Sequence, residues 1–158
     1  MNEKRLDLPI GKGAPAPGGH GGGGGGGFRF DEVDVSEHET WIKGVQRLSA
    51  IDNKELVAHA DALGLLLVRD LTTTKARSFL SRVNALRTRF AHGFDATEVP
   101  LLKVRLAYAA AREKRAVGPL AKVLLPAVDR IESAEDFRWF ARFVEAIVAY
   151  HRFHGGKE

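Results

Sequence analysis

The sequence contains no cysteine, one methionine, two tryptophans and two tyrosines. Without cysteine there can be no disulfide, no thiol nucleophile and no Cys-ligated zinc or iron–sulfur site. Long apolar runs are missing too. None approaches the ~20 residues needed to span a bilayer. The N-terminus carries charges but lacks the apolar stretch of a secretory leader. These absences together predict a cytoplasmic protein with no membrane partner. Proline is scarce, with six in 158 residues, and three of the six fall within the first 17. From residue 36 onward no segment alternates convincingly with period two, so strands are not expected.

Glycine, by contrast, is concentrated. Eleven of the 17 glycines lie between Gly11 and Gly27, and Gly21 to Gly27 are consecutive. Such a segment buries too little surface to offset its backbone entropy, which predicts a flexible, disordered tail. Lys12 among the glycines is no phosphate loop, because no Gly-Lys-Ser/Thr follows and no apolar strand precedes it. Asp31 to Glu39 then carries five acids and no Lys or Arg, and reads as a solvated lead-in. The domain division is 1–35 for the tail and lead-in, and 36–158 for a helical domain.

Helix signals run through that domain. Ser36 with Glu39 forms a capping-box pattern, followed by Trp41, Val45 and Leu48 at i, i+4, i+7. Asp52 with Glu55 repeats the pattern before a second helix running to about Arg69. Gly64 either weakens this helix or marks a close crossing. Thr72 or Thr73 caps a third helix reaching about Ala91, and a fourth spans Val99 to Arg115. Gly118-Pro119 opens a fifth, which ends near Ile131. Ser133 with Asp136 starts the last, which stops at Gly155-Gly156. The fold class is all-α, a single compact bundle of about six helices. Phe137, Trp139, Phe140, Phe143, Val144, Ile147, Val148 and Tyr150 cover more than half of the last helix. It is therefore either central in the bundle or shared with a partner. Glu145 is expected to pair with Arg142.

The net charge is +4, but it is unevenly spread. Between Asp70 and Lys122, 11 Lys and Arg face 4 Asp and Glu. On the third helix Lys75, Arg82 and Arg89 recur every seven residues over about 21 Å, and Arg77 projects from the opposite side. On the fourth, Arg105, Tyr108, Arg112 and Arg115 share one side, and Lys103 with Lys114 forms a smaller edge. Cations aligned on helices suit a sequence-indifferent contact with a phosphate backbone. Arginine's planar fork meets two oxygens at once, and Tyr108 could stack on a base. The competing reading is solvated flanks of amphipathic helices.

Catalytic chemistry has little to build on. His151 and His154 are three apart on the last helix, but no third ligand shares their face. Glu135 and Asp136 are cap and dipole residues in a first helical turn. No serine sits in a glycine-flanked nucleophile turn. No catalytic residue, metal or cofactor is therefore expected.

Three stretches, LTTTKARSFL (71–80), LKVRLAYAAAR (102–112) and FVEAIVAYHRFHGG (143–156), together resemble one family. That family is the small helical subunit of the type III-A CRISPR–Cas effector, the Csm complex. Leu71, Thr72, Thr73 and Arg77 match its first motif. Lys103, Arg105, Leu106, Ala107, Tyr108, Ala109 and Arg112 match its second. Phe140, Phe143, Glu145, Ala146, Ala149 and Tyr150 match its last. Lys75, Ala76 and Ala111 depart from the pattern, and the polyglycine tail has no counterpart. The resemblance covers roughly residues 41–156. It implies a non-catalytic, RNA-binding subunit of antiviral defence. Its partners would be guide RNA, target RNA, the large and backbone subunits, and further copies of itself. The rival readings are a purely structural helical adaptor and a helix-turn-helix DNA-binding module. The second would need Asn or Gln facing base edges, which the stripes largely lack.

Because residues 1–30 are expected to carry no packed structure, deleting them should leave helix content and Tm almost unchanged. A circular-dichroism melt checks this, and a clear fall in Tm would show that the tail packs on the domain.

Overall fold

A computed structural model describes residues 32–158. The expected disordered tail lies outside the described residues. Six α-helices follow in order: α1 (Ser36–Gly44), α2 (Asn53–Leu67), α3 (Thr73–Phe90), α4 (Val99–Arg112), α5 (Lys114–Val128) and α6 (Ala134–Phe153). Short 3-10 turns at Leu48–Ala50 and Ala96–Glu98 precede α2 and α4. No strand occurs among the described residues, and no helix there is long and apolar enough to cross a membrane.

The bundle is organised by α6. Phe137, Phe140, Phe143, Val144 and Ile147 are all buried, at spacings that reach most of the helix circumference. Both α2 and α3 pack on α6, whereas α4 and α1 pack on α5. The α2–α6 crossing is close because position 64 is glycine. A Cβ there would lie 2.6 Å from Tyr150 Cβ and 2.7 Å from the His151 backbone nitrogen. Gly64 therefore marks a helix crossing.

Local hydrogen bonds explain three of the six helix starts. The Asp52 carboxylate accepts from Lys54 N–H at 3.1 Å, the Thr72 hydroxyl from Lys75 N–H at 3.3 Å, and the Ser133 hydroxyl from Asp136 N–H at 3.1 Å. These satisfy donors that a first helical turn leaves unpaired. The start of α1 differs from expectation. Ser36 donates its backbone N–H to Asp34 Oδ1 at 2.9 Å, and no side chain caps the helix. This helix ends at Gly44, so Val45 and Leu48 leave its register, and Leu48 is buried from the 3-10 turn instead. The acidic lead-in also has two inward residues, Val33 and Val35.

A second departure separates α4 from α5. The chain breaks at Glu113 (φ −126°, ψ 56°), and α5 begins at Lys114, four residues before Gly118. Glu113 serves both helices: its N–H donates to Ala109 O at 2.9 Å, and its carbonyl accepts from Val117 N–H at 2.8 Å. Pro119 and Pro126 consequently lie inside α5. Near the helix end Arg130 donates to Pro126 O at 2.9 Å, to Val45 O at 2.6 Å, and to Lys43 O. One guanidinium thus ties the end of α1 to α5.

Two buried polar groups complete the frame. Asp136 accepts from Ser49 N–H at 3.0 Å and Glu132 N–H at 3.2 Å, which joins the first 3-10 turn to the start of α6. Burial would raise its pKa, but the bonds from Ser49, Glu132 and Ser133 outweigh that and hold the carboxyl below its usual range. His38 and His59 meet Nδ1 to Nδ1 at 2.7 Å, so one donates and the other accepts. Trp41 stacks on His59 with ring centroids 3.7 Å apart, and donates its indole N–H to Glu55 Oε1 at 2.5 Å.

Two predictions arise from this packing. Phe143 is fully buried, with Trp139 and Trp41 against its ring. Phe143→Ala should cost about 3–5 kcal/mol in urea denaturation. A loss below about 1 kcal/mol would place the ring in a loose or exposed face. The second prediction is a pH dependence. Burial lowers the pKa of His38, with Glu37 opposing; burial and then His38 lower that of His59, with Glu55 and Glu37 opposing. The unfolded chain therefore takes up protons first as pH falls below about 6.5. The stability contributed by the pair should be complete above that pH and drain away as pH drops through the folded pKa values. Denaturation midpoints at pH 7.5 and 5.5 should differ in that sense, and by less in His38→Gln. Equal pH dependence in the two proteins refutes the assignment.

Candidate nucleic-acid interface

Because α3 packs on α6 and α4 packs on α5, the two cationic helices flank a cleft. Its α3 wall holds Lys75, Ser78, Phe79 and Arg82, and its α4 wall holds Tyr108, Ala109 and Arg112. Leu71, Val117 and Leu120 supply apolar surface, and the volume is about 150 Å³. The fold therefore brings together residues that lie about 30 positions apart in the chain.

The expected site residues divide into two groups. Four of the cations are already paired. Lys75 Nζ lies 2.5 Å from Glu113 Oε2, which ties α3 to the break between α4 and α5. Arg89 meets Glu98 at 2.8 Å, Lys103 meets Asp129 at 2.6 Å, and Arg115 meets Asp70 at 2.9 Å. The other four, Arg77, Arg82, Arg105 and Arg112, are exposed and make no ion pair among the described residues. Of these, Arg82 and Arg112 line the cleft. Arg105 and Tyr108 share the outward face of α4 with Arg112, at i, i+3 and i+7.

Several expectations need correction. Arg115 does not share the Arg105 side of α4, because the helix ends at Arg112 and Arg115 belongs to the first turn of α5. Lys103 and Arg89 face carboxylates away from the cleft. Glu145 does not pair with Arg142; its Oε2 lies 3.6 Å from Arg87 Nη1, across the α3–α6 contact.

Part of the exposed surface of α4 is apolar. Leu101 and Val104 are 50% and 64% exposed, beside a 68% exposed Tyr108. Their spacing of i, i+3, i+7 was visible beside the buried Leu102–Leu106 stripe, and marks a second apolar strip on α4. Ser78 and Phe79 belong to the cleft, and no local signal distinguished them.

The chemistry available in the cleft is anion binding over an apolar floor. Its one carboxylate, Glu113, is held by Lys75. Elsewhere, His151 Nε2 lies 2.7 Å from Leu71 O, and His154 Nε2 lies 2.5 Å from Asp61 Oδ1, so the two rings are engaged separately. Among the described residues no group of three or more His, Cys, Asp or Glu is arranged to hold a metal ion.

Comparison with known proteins adds two findings. Residues 50–157 match the family model described as Csm2 Type III-A, a range that includes α2 to α6 and every cleft residue. A protein of Streptococcus thermophilus described as "CRISPR system Cms protein Csm2" is 36% identical over 92 residues, which is 56% of this chain and 76% of that protein. No solved structure matches. With a family match over more than half its length and the three motifs set on α3, α4 and α6, the chain belongs to the Csm2 family, the small helical subunit of the type III-A Csm complex.

Proposed function

We propose that this subunit is a non-catalytic RNA-binding component of the type III-A effector, gripping the sugar-phosphate backbone of the guide–target RNA through α3 and α4. The observation that carries the proposal is the pair Arg82 and Arg112, which line one cleft from two helices with no carboxylate partner among the described residues. Two arginines facing one groove from different helices suit an anion between them, and phosphate matches their planar fork. Arg105 extends the same cationic surface along α4, and exposed Tyr108 offers a stacking face. Where a guide strand supplies sequence by base pairing, the protein needs only to read backbone. The large and backbone subunits and neighbouring copies would be its protein partners, in the cytoplasm.

A structural-adaptor role has one observation in its favour, the exposed Leu101–Val104–Tyr108 strip on α4. Tyrosine and arginine together are common at the centres of protein interfaces. The two readings separate by salt dependence. Each phosphate contact to single-stranded RNA contributes about 0.7 to the slope of log K against log salt. Arg82→Gln, Arg105→Gln and Arg112→Gln combined should flatten that slope by about 2 and weaken different RNA sequences about equally. These are surface changes, so folding should survive. Arg89→Gln with Lys103→Gln, both already ion-paired, is the control and should change the slope less. An unchanged slope in the triple variant would favour the adaptor, and loss for one RNA sequence alone would indicate base readout.

A further inference from the structure

The start of α3 is held from the far end of the chain. His151 is completely buried, and its Nε2 donates to Leu71 O at 2.7 Å. Thr73 N–H donates to Lys157 O at 2.7 Å, and Thr73 Oγ1 donates to Gly156 O at 3.1 Å. Gly156 N–H returns to His151 O at 2.9 Å, which folds the C-terminal turn back onto the imidazole. Glycine is required there, because a Cβ at position 156 would collide with the His151 ring. Gly155, with φ +93°, makes the turn possible. Three hydrogen bonds therefore converge on Leu71 and Thr73, immediately before Lys75 and about two and a half turns before Arg82.

We infer that His151, Gly156 and Thr73 form a clasp that positions the α3 wall of the cleft, making them positioning residues for RNA although none lies on the cationic surface. The inference rests on the RNA reading above. Leu71 is both the residue grasped by His151 and a wall of the cleft, so movement of the clasp moves the cleft itself. The first-turn N–H of Thr73, which an isolated helix leaves unsatisfied, has its acceptor in the C-terminal turn. With the clasp open, the first turn of α3 is free to fray, and Leu71 and Lys75 lose their fixed place in the cleft wall that Arg82 continues. The arrangement also draws on two of the family-like stretches: LTT supplies the grasped carbonyl and the two donors of Thr73, HRFHGG supplies the ring and the Gly156 carbonyl, and Lys157 just beyond it supplies the second carbonyl.

The test uses the full chain, with Gly156→Ala and His151→Phe, and oligouridylate as the RNA probe. The salt slope of binding should fall by about 0.7, one contact of the α3 wall, while the contacts of α4 persist. Amide exchange at Thr73 should accelerate in both variants. A role limited to overall stability would reduce the binding-competent fraction and leave the slope intact, and that result would overturn the clasp. Gly156→Ala is the milder change and decides the matter if His151→Phe does not fold. In a His151→Ala background the collision at position 156 disappears, so Gly156→Ala should add no further loss; additive losses would count against the clasp. An unaltered slope in the clasp variants, with a flattened slope in the Arg82, Arg105 and Arg112 variant, overturns the clasp alone. Unaltered slopes in every variant overturn the clasp and the RNA reading together.

Discussion

A helix that is apolar around most of its circumference must be wrapped, and α6 imposes that constraint on the whole domain. Its phenylalanines face in several directions at once, so one partner helix is not enough. Both α2 and α3 lie against it, with α2 admitted at backbone distance by Gly64. The remaining helices form a second layer in which α4 and α1 lean on α5. The space between α3 and α4 follows from this division. Each is anchored to a different neighbour, and the groove between them is left with an apolar floor and arginines on both sides.

Charge is sorted by the same geometry. A run of cations looks uniform in a sequence, yet the fold treats its members differently. Lys75, Arg89, Lys103 and Arg115 are spent on carboxylates supplied by other segments, from Asp70 to Asp129. Such exposed pairs contribute little stability individually. Their larger effect is to balance charge at some positions, leaving Arg77, Arg82, Arg105 and Arg112 without an ion pair among the described residues.

What could be read from the sequence was what depends on near neighbours. The caps at Asp52, Thr72 and Ser133 bond within three residues, and all three were legible. The apolar face of α6 was legible because helical periodicity is local. Ser36 misled because Asp34, two residues earlier, takes its N–H. The break at Glu113 carries no glycine or proline, and its ion pair reaches back to Lys75, so nothing nearby announced it. The cleft itself depends on which helix each wall leans against, a fact of tertiary packing. The family resemblance identified the right motifs, but it could not show that Thr73 and His151 hold each other's segments in place.

The chain has two tryptophans, and both sit in the aromatic layer between α1 and α6, with ring centroids 6.1 Å apart. Trp41 also lies flat on His59. Intrinsic fluorescence is therefore a local gauge of this one seam. It will report the docking of α1 and the protonation of the histidine beneath the indole, and it will be nearly silent about events in the groove between α3 and α4. A fluorophore introduced near Ser78 would see the opposite half of the molecule, and the two signals together would separate unfolding from occupancy in a single titration.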